Sequence, residues 1–145
     1  MAYLLLKLLY MKKLMLLFSV LLLFCSMTCD DERYVGELLI KNESNEPIYY
    51  YKEFSTTDVT LDDISKSRLD NQMLSVGEKQ KWLLYEDSFA NDSKIYVYFF
   101  KKSILDQYSW EEIKENNVYS KRYTYTLSEL KAAKWSIIFT DNDIN

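Results

Sequence analysis

At 145 residues the chain has room for one domain, or for one domain behind a leader. It has no histidine, two cysteines, two glycines and a net charge of −4. The missing imidazole removes Ser-His-Asp and Cys-His catalysis and the usual histidine metal sites. Two glycines make neither a phosphate-cradling loop nor a dinucleotide fingerprint, and the acidic balance disfavours nucleic-acid phosphates.

The chain opens on MAYLLLKLLY, then Met11-Lys12-Lys13, then the uncharged run LMLLFSVLLLFC from Leu14 to Cys25. A positive start followed by an apolar stretch of roughly 7–15 residues is the pattern of a secretory signal. Crossing a bilayer needs about 20 apolar residues, so the uninterrupted run is short for a span. The reading is a signal peptide over residues 1–28, with translation starting at Met11. The rival is a longer N-terminal anchor interrupted by Lys7, Lys12 and Lys13. All the acidic residues lie beyond the leader, so the mature chain is more acidic than the whole.

Both cysteines fall in CSMTCDDER, residues 25–33. Cys29 follows small Thr28, with Ser26 at the third position back, whereas bulky Phe24 precedes Cys25. This end of the leader resembles the lipobox of bacterial lipoproteins, in which the cysteine becomes the first mature residue and carries lipid. The family prefers Leu where Ser26 stands and Gly, Ala or Ser where Thr28 stands. The resemblance implies a lipid on Cys29 and no intramolecular disulfide afterwards. Asp30, Asp31 and Glu32 then look like the surface-export signal of Bacteroidota lipoproteins, whereas in enteric bacteria an Asp directly after the cysteine would resemble an inner-membrane retention signal. Residues 29–34 are also expected to serve as a solvated tether, since unpatterned charge does not collapse in water.

Residues 35–145 read as a single β-rich domain. Strands are expected over Glu37–Lys41, Ile48–Phe54, Lys79–Tyr85, Lys94–Lys101, Val118–Tyr125 and Lys134–Thr140. Lys94–Lys101 is the strongest, rich in aromatic and β-branched residues, and polar turns separate the six. Pro47 marks the start of the second. About six strands with two or three short helices point to a small β-sandwich or barrel-like domain. The helices come from a recurring pattern, YSWEEI from Tyr108 and YTLSEL from Tyr125, with a looser copy, VTLDDI, from Val59. Ser109 and Thr126 stand as N-caps, and Glu112 and Glu129 reach back as capping-box partners.

The stretch SWEEIKENNVYSKRYTYTLSELKAAKWSII is similar to a group of small lipoproteins of gut-dwelling Bacteroidota. The shared features are a Trp-led helix, a KRY strand, an LSEL turn and a final Trp strand. The resemblance covers about a third of the mature chain, and it implies location and fold but no activity.

The acids offer few sites. Asp62 with Asp63, and Glu111 with Glu112, are the candidate carboxylate pairs, but chain neighbours are poorly placed to flank one bond. Asp58, Asp62 and Asp63, or Asp87, Asn91 and Asp92, match no calcium-loop spacing and read as solvated loop acids. No catalytic residue, metal or cofactor is assigned.

Aromatics are the larger surplus, with 13 tyrosines. In a strand side chains alternate, so Tyr49 and Tyr51 share one face and Tyr50 takes the other. Tyr96 and Tyr98 share a face opposite Val97 and Phe99. These five tyrosines are the candidate binding aromatics if one sheet face is open. The alternative is cross-strand pairing that only stabilises the sheet. Trp82 and Trp135 read as mid-strand core residues. The expected protein is a surface-exposed outer-membrane lipoprotein, held in the membrane by the lipid on Cys29. It acts as a noncatalytic binding or interaction module for a protein or glycan and not for nucleic acid. A structural accessory subunit of an outer-membrane complex is the alternative, and a carboxylate-dependent hydrolase is the remote third.

Overall fold

The computed structural model describes residues 33–142 and Lys13. The chain divides into two units, Met1–Asp31 and Glu32–Asn145, and the strands and helices below belong to the second. Seven strands are present among the described residues: β1 Tyr34–Asn42, β2 Ile48–Ser55, β3 Met73–Leu74, β4 Lys79–Tyr85, β5 Lys94–Lys101, β6 Lys121–Tyr125 and β7 Ser136–Phe139. The helices are short: α1 Lys66–Asp70, α2 Lys102–Gln107, α3 Trp110–Glu115 and α4 Leu127–Ala132. Two 3-10 stretches, Leu61–Asp63 and Glu86–Asp92, complete the set.

The strands form two sheets, ordered β4-β1-β7 and β3-β2-β5-β6. The fold is therefore a mainly β sandwich and not a closed barrel. Every neighbouring pair is antiparallel except β1 with β7, which is parallel. Between the sheets, Leu38 and Ile40 of β1, Leu84 of β4 and Phe139 of β7 belong to one buried cluster with Ile48, Tyr50, Val97 and Phe99. The alternation of β1, with Gly36, Leu38, Ile40 and Asn42 buried, is what a strand with one covered face requires.

The four-stranded sheet is covered on its second face too. Tyr51, Tyr96, Tyr98 and Phe100 are buried there against Val59, Leu61, Ile64, Leu69 and Ile113, from the segment after β2 and from α1 and α3. This explains why β5, KIYVYFFK, shows no polar face: six consecutive residues are buried. A strand covered on both sides reads as a continuous apolar run.

Both expected capping boxes are formed. The Ser109 Oγ accepts from the Glu112 N–H at 3.2 Å, and the Ser109 N–H donates to Glu112 Oε2 at 2.8 Å. Thr126 and Glu129 repeat the arrangement at 3.3 and 2.8 Å. The backbone and hydroxyl bonds hold the Glu112 and Glu129 carboxyls below their ordinary pKa. Their stabilising effect is therefore present above the unfolded carboxylate pKa and is lost as acid protonates them. The two helices also end alike. Val118 N–H donates to Ile113 O and Asn117 N–H to Lys114 O; Trp135 N–H donates to Leu130 O and Lys134 N–H to Lys131 O. These are Schellman closures, with left-handed Asn117 (φ 53) and Lys134 (φ 54) where glycine is the common choice. Ser109→Ala and Thr126→Ala are each expected to cost about 0.5–2 kcal/mol. The effect would be read as a lower urea midpoint at unchanged slope.

The architecture corrects several expectations. β3 and α1 were not expected, because a two-residue strand carries no period and α1 has no side-chain cap. α2 was missed for the same reason, since its N-cap is Lys101 and no side chain bonds to it. Residues 118–120 are not part of β6, because Val118 closes α3. Trp135 is not mid-strand: it sits at φ 58 in the turn before β7, partly buried against the inter-sheet cluster. Its ring lies over Gly36, where an added Cβ would meet it at 2.6 Å. Trp82 is mid-strand as expected, but only partly buried at the margin of the same cluster.

Candidate functional site

Cys29 and the acidic residues Asp30, Asp31 and Glu32 lie outside the described residues, so the anchor and export readings stand on sequence. The five tyrosines are described, and four of them correct the idea of an exposed platform. Tyr50 is buried between the sheets; Tyr51, Tyr96 and Tyr98 are buried under the helical layer. Arg122 of β6 covers Tyr96 and Tyr98, with its guanidinium 5.2 and 5.4 Å from their ring centres, and it pairs with Asp58. The Tyr98 hydroxyl donates to Val59 O at 2.6 Å. Tyr49 is half-buried against the same cluster. The tyrosines are thus mostly packing residues, and the hydroxyls of Tyr50, Tyr51 and Tyr98 each have a hydrogen-bond partner.

The acidic clusters are likewise spoken for. Asp63 accepts from the Thr60 N–H at 2.8 Å and its hydroxyl at 2.9 Å. Glu112 is a capping partner. Asp62, Glu111, Lys114 and Glu115 line a depression of about 270 Å³, with Lys114 Nζ 3.9 Å from Asp62. Among the described residues no cluster of three or more acids, histidines or cysteines is placed to hold a metal.

One cleft does gather complementary chemistry. It has a volume of about 360 Å³ and is lined by Tyr51, Lys52, Arg68, Asn71, Gln72 and Trp82. β2 supplies Tyr51 and Lys52 on opposite faces, α1 and its C-terminal turn supply Arg68, Asn71 and Gln72, and β4 supplies Trp82. Trp82 is fixed by its indole N–H, which donates to the Tyr50 hydroxyl at 3.1 Å. Lys52 Nζ lies over the Trp82 ring, 4.0 Å from its centre, a close cation–π contact. Arg68 lies over Tyr51 at 5.0 Å and donates to the Tyr51 hydroxyl at 3.2 Å and Glu53 Oε2 at 3.0 Å.

The two cations differ in how they are neutralised. Arg68 is paired with Glu53. Among the described residues Lys52 has no carboxylate partner, only the Trp82 and Phe54 rings. Burial pushes its pKa below the ordinary lysine value; Glu53 opposes that shift, and Arg68 adds to it. The Tyr51 hydroxyl is pushed up to about 12, by burial first and then by its bond to Glu53. At neutral pH the cleft therefore offers an ammonium with spare donors, an aromatic wall and two side-chain amides.

Sequence reasoning passed over Lys52, although a signal was present. Ile48, Tyr50, Lys52 and Phe54 share one strand parity, and a lysine in that apolar register points inward. Comparison with family models, with curated proteins and with solved structures finds no match for the chain.

Proposed function

We propose that the protein is a noncatalytic binding module of the cell envelope, tethered by lipid on Cys29, that holds an anionic group in the cleft between α1, β2 and β4. The observation that carries this reading is Lys52: a half-buried ammonium over Trp82, with no carboxylate partner among the described residues. A half-buried charge without a counter-ion costs free energy, and an anion entering the cleft offsets that cost. The tether reading rests on the leader, Cys29 and the acids after it, and the resemblance to Bacteroidota lipoproteins supports a surface location.

Two experiments test the reading. Cys29→Ala is expected to abolish labelling by a fatty-acid analogue in cells, and Cys25→Ala to leave it; labelling that survives Cys29→Ala would defeat the anchor. Calorimetry with oligogalacturonate as the anionic probe is expected to show binding that weakens about tenfold in Lys52→Met, the loss of one charge-assisted contact. An anion prefers the protonated lysine, so affinity is highest below the Lys52 pKa. It falls as pH rises through that pKa, earlier than for a free lysine. Binding that ignores both the substitution and alkaline pH would remove Lys52 from the site.

A further inference from the structure

We propose that the natural occupant of the cleft is an extended peptide segment of a partner protein, added as a strand to the open edge of β2 at Lys52–Phe54, with an acidic side chain against Lys52. This rests on the cleft being a binding site and names its ligand class.

β3 covers only the start of β2, pairing Ile48 with Leu74 and Tyr49 with Met73. The last bond on that side runs from the Tyr50 N–H to Gln72 O at 2.9 Å. The preceding chain, Asn71 and α1, has by then turned onto the other face of β2, where Leu69 is buried. The opposite edge of β2 pairs with β5 through to Ser55 and Lys94, so the uncovered half is held extended. Backbone groups alternate between the two edges of a strand. Because the Tyr50 N–H faces the β3 side, the N–H and C=O groups of Lys52 and Phe54 face it too. Among the described residues no strand pairs with them there.

Such an edge is a template for another chain, and proteins commonly guard it with an inward-pointing charge. Lys52 is that charge, and its chemistry selects as well as guards. Two copies pairing edge to edge would bring lysines together, and an apolar strand would bury the ammonium unpaired. A strand with a carboxylate at the facing position meets the requirement. Its neighbouring side chains would point to the other face, towards Arg68 and Asn71. Backbone bonds would then supply affinity and the charge specificity, the division of labour seen in strand addition generally.

The test uses the full chain in detergent micelles and fluorescence anisotropy. The probe is a capped, labelled peptide of alternating threonine and valine with one central glutamate. It is expected to bind. A central lysine should weaken it about tenfold, as the loss of one partly desolvated charge pair. N-methylation of its edge-facing amides should abolish binding to the unaltered protein, which no folding defect can mimic. Lys52→Met should erase the preference for glutamate over lysine, and Lys52→Arg should keep it. If the N-methylated peptide binds as well as its parent, strand addition is wrong. If oligogalacturonate binds through Lys52 while no peptide does, strand addition is wrong and the anion cleft stands. If neither probe binds, both readings fall.

Discussion

Phe99→Ala is expected to cost about 3–5 kcal/mol, the range for truncating a buried aromatic ring. Phe99 is fully buried on the central stretch of β5. Its ring stacks on Phe139 with centres 5.1 Å apart, meets Tyr123 edge-on at 5.9 Å and lies 6.3 Å from Tyr50. It therefore joins β2, β5 and β6 of one sheet to β7 of the other. Truncation would open a cavity where the two sheets meet, and the surrounding rings cannot all collapse into it. A domain of this size has about 5–15 kcal/mol of stability in total, so the variant should be close to unfolding at 37 °C. Urea denaturation of residues 32–145, followed by tyrosine and tryptophan fluorescence, measures the loss. Leu83→Ala is the control, since Leu83 is 58% exposed and should change the midpoint little.

Asn42→Ala is expected to cost about 3 kcal/mol or more, because each buried polar group left without a partner costs about 1–3 kcal/mol. Asn42 is fully buried at the end of β1. Its Nδ2 donates to Glu46 O at 2.9 Å, Leu74 O at 3.1 Å and Ser75 O at 3.2 Å. Its Oδ1 accepts from the Ser44 N–H at 2.9 Å and the Ser44 hydroxyl at 2.7 Å. One side chain thus fixes the turn between β1 and β2, and the turn between β3 and β4. Those turns carry the chain from one sheet to the other. Asn42→Asp should be worse than Asn42→Ala at neutral pH, because it places a buried negative charge against carbonyl oxygens. It should recover partly in acid, as protonation removes that charge. Thermal unfolding of both variants across pH checks the order, and equal loss at every pH would rule out the charge argument.

Strand positions were legible wherever a strand was long enough to stand out between polar turns. The bounds of β4 and β5 coincide with the expected segments Lys79–Tyr85 and Lys94–Lys101. The caps at Ser109 and Thr126 were legible because a capping box is a local pattern that needs no tertiary contact. What failed was local pattern overridden by packing. Tyr51, Tyr96 and Tyr98 fit an exposed platform as well as they fit a core, and only the helical layer from Leu61 to Ile113 decides between them. The cleft was hidden for a related reason. Lys52, Arg68 and Trp82 come from three separate elements, and nothing along the chain announces that the segment before Gln72 leaves the edge of β2 for its face. Asn42 reads in sequence as one more residue of a turn-rich NESNEP segment; its bonds to Ser44 and Glu46 are local, but those to Leu74 O and Ser75 O form only when the end of β3 and the turn after it arrive beside it.

The pairing of β1 with β7 has a kinetic consequence. β1 is the first strand of the folded unit and the middle strand of its sheet, and its neighbour on one side is the last strand, with Leu39 opposite Ser136. A chain emerging from a ribosome must hold β1 half-paired until Ser136 and the rest of β7 have appeared. Contacts so distant in sequence slow the search for the native state, and a half-paired hydrophobic strand meanwhile offers an edge for misassembly. Loss of β7 by truncation would therefore expose the heart of a sheet and not merely fray its margin.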